Sequence, residues 1–273
     1  MIYDAVMLGY VTDLDLLDIR LHELADVVDR FVVVEACETF TGRRKPLHLY
    51  HARSRFAPFA DRLEYVTLHS LPQGDAWTRE AYQRNAILAG LRDAAEDDIV
   101  LMGDCDEIPR AASVPQAVEA LRHRPVVAFG QRLSFYYANN VCYTTDWRGT
   151  LASTVQTART WTPQGMRDAR NAVGALRNAG WHMTNVVGRQ GVEALQTKIT
   201  SFSHTEVATP EILDAAHLRE CVALGKDVSG RQDILFRVEA NERDYPRHIL
   251  DNLGMYAHLF YPGSLWQKER EAA

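Results

Sequence analysis

Asp104 and Asp106 flank Cys105 directly after the apolar run Ile99-Val100-Leu101-Met102 and Gly103. Two carboxylates one residue apart can turn toward a single hard cation. Mg²⁺ or Mn²⁺ takes such oxygen ligands and leaves coordination positions for phosphate oxygens. A cation held there neutralises a departing diphosphate as the bond to it breaks. The triplet by itself is a common turn sequence; the buried strand before it supplies the context, because ligands of open α/β sheets bind beyond the carboxyl ends of the strands. Glu107, next in the chain, is either a partner that supports the pair or a cap on the following turn.

The elements that must position this pair follow from apolar spacing. Residues 2–8 are an apolar run closed by Gly9, and over 13–28 Leu14, Leu17, Leu21, Leu24 and Val28 recur at helical spacing. Phe31-Val32-Val33-Val34 is β-branched and apolar throughout, the pattern of a strand buried on both faces of a parallel sheet, and it ends in Glu35. A strand over 63–68, a helix over 78–95 stopped by Asp97-Asp98, and the strand 99–102 complete the first half, and Pro115 sits where a helix can begin. Strands and helices alternating in this order predict an α/β fold, a mostly parallel twisted sheet flanked by helices.

The second half is less regular. Aromatic strands are expected at 126–129 and 133–137, followed by a loop with Asn139, Asn140, Asp146 and Trp147 on the acceptor side. A helix over 166–177 is expected to end on Asn178-Ala179-Gly180 as its C-cap. Further helices are expected at 190–200, 210–224 and 246–259. No repeat, low-complexity tract or linker divides the chain, so residues 1–273 are read as one domain, with a nucleotide-sugar half over 1–125 and an acceptor half over 126–260.

With 47% hydrophobic and 24% charged residues, the composition is that of a globular protein and excludes disordered or fibrous classes. A net charge of −6 gives no basic face for nucleic acid, so a diphosphate must be held by local cations. Cys37, Cys105, Cys142 and Cys221 form no CxxC pair and are expected to be free thiols. No apolar run approaches the roughly 18 residues of a membrane span, and a cytoplasmic location is expected.

Several ordered blocks resemble glycosyltransferase family 17. They are residues 14–24 (LDLLDIRLHEL), Val33-Val34-Glu35-Ala36, Glu80-Ala81-Tyr82-Gln83-Arg84-Asn85, residues 98–109 (DIVLMGDCDEIP), Gly180-Trp181-His182 and residues 198–206 (KITSFSHTE). The likeness spans residues 3–260. It implies a GT-A fold, a nucleotide-sugar donor such as UDP-N-acetylglucosamine, a divalent metal, and inversion at the anomeric carbon. Cys105 stands where a small aliphatic residue is more usual in the family, and no membrane anchor or stem like that of Golgi members is expected within these 273 residues, so acceptor and compartment are not expected to transfer.

Within that frame Asp106 is expected to be a direct metal ligand, and Asp104 to touch the metal, its water shell or the donor ribose. The resemblance implies that a late histidine completes the metal's coordination, which by chain order is His204. Glu35, near Gly9, can accept hydrogen bonds from the nucleoside, or is an exposed acid after a strand. Arg84 and Asn85 are donor contacts, the planar guanidinium suiting phosphate, with a surface ion pair as the alternative for Arg84. Arg43, Arg44 and Lys45 either screen the diphosphate or form a solvated loop. His182, beside an aromatic that can stack on a sugar, is a candidate contact to acceptor or donor. An inverting transfer needs a base for the acceptor hydroxyl, and Glu206, Asp146, Asp233 and His182 are all compatible. The rival readings are an Asp-x-Asp phosphatase or phosphotransferase, disfavoured because such a triplet usually follows the first strand, and an inactive sugar-binding module.

Overall fold

The computed structural model describes residues 1–145, 147–231, 233–239 and 244–261. Among the described residues ten strands form one sheet: β1 (Ile2–Leu8), β2 (Arg30–Ala36), β3 (Leu63–Leu68), β4 (Ile99–Asp104), β5 (Glu107–Pro109), β6 (Val126–Phe135), β7 (Asn140–Cys142), β8 (Trp147–Thr154), β9 (Gly174–Thr184) and β10 (Phe236–Val238). The main path runs β10-β7-β6-β8-β4-β1-β2-β3, and β9 pairs with both β6 and β5. The expected parallel sheet is found over β3-β2-β1-β4. Beyond β4 the pairing is mixed, with β8 antiparallel to β4, β6 antiparallel to β8 and β9 parallel to β6.

The apolar strand runs explain the packing on both faces. Val6, Leu8, Phe31, Val33 and Leu101 pack with Leu17, Leu21 and Leu24 of the helix Asp13–Leu24 and with Phe59. The alternate residues Tyr3, Ala5, Val32, Val34, Val100 and Met102 pack with Ile87, Leu91 and Val155 on the opposite face. Period-two alternation between two cores is what a strand covered on both sides requires. Each fully buried Val, Leu or Phe contributes about 1.5–3 kcal/mol of hydrophobic stabilisation.

One fully buried side chain on that leucine-lined helix is charged. Arg20 forks onto Asp4 of β1, Nε to Oδ2 at 2.8 Å and Nη2 to Oδ1 at 2.7 Å, and its Nη1 donates to the carbonyls of Glu107 and, at 3.4 Å, Asp104. The bidentate pair fixes the helix against β1, and the remaining nitrogen holds the backbone where β4 turns into β5. The site turn is thereby tied to the sheet from below.

The expected helix over 166–177 is replaced by the short helix Pro163–Asp168 and then by β9, so Asn178-Ala179-Gly180 lies inside a strand rather than at a C-cap. A Cβ at position 180 would fall 2.2 Å from the Ile108 carbonyl oxygen, so the glycine there permits close strand approach. Asn178 does take positive φ, at 48°, but in an irregular stretch of strand. The helix expected over 78–95 is Ala76–Asn85 followed by the single turn Ile87–Gly90, and the one over 246–259 is broken into Arg247–Asp251 and Leu253–Tyr256. Pro115 opens the helix Val114–Ala120 as expected, and all four cysteines are free. Among the described residues no helix is long and apolar enough to cross a membrane.

Candidate active site

The carboxyl end of β4 delivers Asp104 beside the ends of β1 and β8. Gly103 is required just before it. A Cβ there would fall 2.8 Å from Thr150 Oγ1 and 3.0 Å from Glu107 Oε2, and this closeness lets Glu107 tuck beneath the strand end. Glu107 is fully buried; its Oε2 accepts from the Asp104 backbone N–H at 3.0 Å, and its Oε1 accepts from Trp147 Nε1 at 2.7 Å and Arg167 Nη1 at 2.6 Å. It therefore supports the turn from within.

Asp104 lies between two guanidiniums. Arg84 Nη1 donates to Oδ1 at 2.6 Å and Arg167 Nη2 to Oδ2 at 2.8 Å. Burial works against ionisation of Asp104, but Arg167 and Arg84 overcome it and hold the carboxyl well below the usual carboxylate range. Arg84 is itself oriented by Glu80, whose Oε1 lies 2.5 Å from Nη2, and by Gln164, whose Oε1 accepts from Nε at 3.0 Å. Asn85 Oδ1 accepts from the Gln164 backbone N–H at 2.9 Å, so it docks the start of the helix that carries Arg167.

Asp106 faces different partners. Lys198 Nζ lies 3.2 Å from Oδ2 and donates also to Thr184 Oγ1 at 3.1 Å, leaving one of its three N–H groups. His182 Nδ1 lies 3.5 Å from Oδ1. Burial again opposes ionisation, and Lys198 with His182 outweighs it, so Asp106 is also held below its ordinary value. The His182 ring stacks on Trp147 with centroids 4.8 Å apart, and the Arg170 guanidinium lies 4.3 Å from the Trp147 ring centroid. Below Lys198, Asp13 Oδ2 accepts from the backbone N–H groups of Gly9 and Tyr10, each at 2.9 Å. Burial pushes the Asp13 carboxyl up to about 6, with Lys198 opposing the shift.

The structure thus brings together Gly9, Arg84, Asp104, Asp106 and His182 of the sequence candidates, with Asn85 one layer behind. Glu35 is elsewhere engaged. It is fully buried and accepts from Lys45 Nζ at 3.0 Å, the backbone N–H groups of His48 and Leu49 at 2.6 and 3.1 Å, and the Tyr65 hydroxyl at 2.7 Å. Those four donors make it the clamp of the loop after β2 rather than a ribose contact. Arg43 and Arg44 are exposed, and Lys45 spends its charge on Glu35.

His204 and Glu206 are both exposed and pair with each other at 2.7 Å. The His204 ring meets Trp77 edge-on at 4.7 Å. Trp77 and Arg84 stand at opposite ends of one helix, roughly 10 Å apart along its axis. His204 thus lies at the Trp77 end of that helix, opposite the end that carries Arg84. Asp146 lies outside the described residues, and Asp233 is exposed. Arg167 and Arg170 were not singled out from sequence, and Lys198 entered only within a family block; their nearest signal was the need for local cations around a diphosphate in an acidic protein.

The donor atoms decide where a divalent cation fits. Each Asp104 oxygen holds an arginine, whereas Asp106 Oδ1 faces His182 Nδ1, a buried nitrogen without a hydrogen-bond partner among the described residues. A carboxylate oxygen beside an orphaned imidazole nitrogen is a donor set that such an ion accepts. The residues that fit are Asp106 and His182.

The model of glycosyltransferase family 17 matches residues 1–260. The β-1,4-mannosyl-glycoprotein 4-β-N-acetylglucosaminyltransferase of Homo sapiens is 37% identical over 106 residues, which cover 36% of this chain and 20% of that enzyme. The Mus musculus enzyme of the same name is 36% identical over 106 residues. The match thus spans a fifth of the length of these relatives. Among solved structures, residues 1–349 of S. aureus TarS align with a TM-score of 0.40 at 12% identity, covering 81% of this chain and 69% of that one. A 4-diphosphocytidyl-2C-methyl-D-erythritol synthase from Anaerococcus prevotii aligns with a TM-score of 0.43 at 10% identity, covering 76% of this chain and 98% of that one.

Proposed function

Because the chain belongs to glycosyltransferase family 17, we propose that it moves N-acetylglucosamine from UDP-N-acetylglucosamine to a glycan hydroxyl, with a divalent cation and with inversion at the anomeric carbon. The observation that carries this reading is the Asp104-Cys105-Asp106 turn at the carboxyl end of β4, framed by Arg84, Arg167 and Lys198. The names of the mammalian relatives support the choice of sugar.

In this reading Arg84 and Arg167 keep Asp104 ionised and fixed, and Asp104 in turn holds both guanidiniums at the edge of the donor site. Lys198 uses two of its donors on Asp106 and Thr184, and its third points the ammonium's remaining capacity at a phosphate oxygen. Asp106 and His182 hold Mn²⁺ or Mg²⁺, which when bound supplies positive charge to the leaving diphosphate. Most of the acceleration comes from alignment and from fixed charges at the leaving group. The acceptor proton passes to a carboxylate, for which Asp146 is the candidate and Asp146→Asn the test, since Glu206 is exposed and paired with His204 at the far end of the helix from Arg84. The phosphatase reading loses ground because Asp104, gripped by two arginines, is poorly disposed to act as a nucleophile.

The test is a calorimetric titration of UDP-N-acetylglucosamine, UDP and GDP-mannose, with and without Mn²⁺, on the wild type and Asp106→Ala. Metal-dependent uridine-nucleotide binding that disappears in the variant supports the site. No nucleotide binding, or a product that keeps the donor's anomeric configuration, sinks the proposal.

A further inference from the structure

Away from the Asp104 turn, a second cluster of ligand-type side chains joins the two ends of the described fold. Asp18 and His22 lie one turn apart on the helix Asp13–Leu24, and His248 arrives on the helix Arg247–Asp251. One potential ligand atom from each lies within 4.8 Å of the others. Asp18 is buried and the two histidines are half-buried, so the cluster has both a dry base and a path for an ion.

The surrounding contacts orient these groups as outer partners of a metal site do. Asp18 Oδ2 is taken by the Tyr256 hydroxyl at 2.8 Å and by Arg55 Nη2 and Nε at 2.7 and 3.0 Å. That leaves Oδ1 turned to the His22 ring, 3.3 Å from Nδ1. His22 Nδ1 is also 2.9 Å from the Asp18 carbonyl oxygen; donating there puts the lone pair on Nε2. A ligating histidine almost always donates its other nitrogen in this way, and a ligating carboxylate is likewise hydrogen-bonded from behind. Arg55 brings positive charge, but Asp15 Oδ1, 2.6 Å from Nη1, shares it with Asp18.

The two rings stack with centroids 3.7 Å apart and planes 11° from parallel, with Phe59 edge-on to His22 at 4.9 Å and Tyr256 edge-on to His248 at 5.5 Å. His248 Nδ1 lies 3.4 Å from Asn252 Nδ2. We propose that Asp18, His22 and His248 form a structural zinc site, distinct from the donor site, that staples the helix Arg247–Asp251 to the helix Asp13–Leu24. Two imidazoles and one carboxylate suit Zn²⁺, with water as the fourth ligand. Tetrahedral ligands at 2.0–2.1 Å sit about 3.4 Å apart, so the groups must draw in by roughly 1.4 Å at most, within reach of ring rotation for half-buried histidines. The inference does not rest on the transferase reading, since none of its residues belongs to the Asp104 turn.

The experiment uses the tag-free full chain carrying Asp106→Asn, so that the donor site does not contribute. Co²⁺ is added as a spectroscopic probe and Zn²⁺ by calorimetry and in thermal unfolding. The expected result is one equivalent of tetrahedral Co²⁺, displaced by Zn²⁺, and a higher unfolding temperature with Zn²⁺. His22→Gln and His248→Gln should each weaken binding by at least about tenfold, the scale on which loss of an outer partner alone acts, and should abolish the thermal shift while His204→Gln changes neither. Both replaced rings are half-buried, so the variants are expected to fold, which their unfolding curves without metal verify. Absence of a tetrahedral Co²⁺ spectrum, or binding that survives His248→Gln, overturns the proposal.

Discussion

Replacing Arg167 with Met removes the side chain that bridges the carboxylates of Asp104 and the buried Glu107. Arg167 is 14% exposed and Glu107 fully buried, so their 2.6 Å pair is shielded from water, whereas Asp104 is 28% exposed and keeps Arg84. Breaking a buried ion pair by removing one partner costs about 3–5 kcal/mol, because the other charge is stranded. Glu107 retains Trp147 Nε1 and the Asp104 N–H as donors, which places the expected cost near the lower limit, about 3 kcal/mol. In a chain of this size that lowers the unfolding midpoint by roughly 6–12 °C. The assay is urea unfolding at neutral pH of the wild type, Arg167→Met, Glu107→Gln and the double variant. Glu107→Gln removes the stranded charge, so the double variant should lose about 2 kcal/mol less than the sum of the singles. A loss below about 1 kcal/mol for Arg167→Met, or single losses that add to within about 0.5 kcal/mol, would refute the claim that this arginine neutralises Glu107.

Asp106→Asn should fold normally and lower Mn²⁺-dependent UDP affinity by at least about tenfold, about 1.4 kcal/mol; unchanged affinity by calorimetry would remove Asp106 from the cation site. Asp13, whose carboxyl burial raises to about 6, stabilises the fold fully below pH of about 4 and loses that contribution as pH rises through about 6. Over that window the wild type should lose up to about 3 kcal/mol relative to Asp13→Asn, and a pH-independent difference between the two unfolding free energies would contradict the shift. Glu35→Gln should cost about 1.5–3 kcal/mol in urea unfolding, because charged hydrogen bonds at a buried clamp are lost, and leave UDP affinity untouched. A drop in UDP affinity without a drop in stability would return Glu35 to the donor site.

The parallel half of the fold was legible because its strands are covered on both faces, and Phe31-Val32-Val33-Val34 has no other economical use. The misreading of residues 166–180 has a physical cause. Asn178 and Gly180 are what a helix C-cap uses, and also what a strand uses where it bends and meets another backbone closely. Composition does not separate the two; the position of Ile108 does. At the site, Asp104, Asp106 and Arg84 declared themselves through the strand end and the apolar neighbours of the arginine. Arg167 and Lys198 reach these carboxylates across 63 and 92 residues of chain, from helices whose placement follows from tertiary packing alone. For the late histidines chain order is the only guide in the sequence, and chain order does not show that β9 lays His182 against Glu107 of β5.

In the sequence the two aspartates look equivalent, and the fold makes them chemically unlike. Asp104 is held by two guanidiniums, rigid planar partners whose loss would leave charges stranded, and in the proposed reading it organises the donor side. Asp106 is paired with a lysine, a point charge on a flexible stem, and with a histidine nitrogen that has no hydrogen bond among the described residues. An ammonium can swing from a carboxylate to a phosphate oxygen with little rearrangement, whereas a guanidinium that bridges two carboxylates, as Arg84 and Arg167 do, cannot release one without disturbing the other. The exchangeable side of the site is therefore at Asp106, and this asymmetry is the reason the cation is proposed at Asp106 and His182, with Asp104 holding the arginines in place.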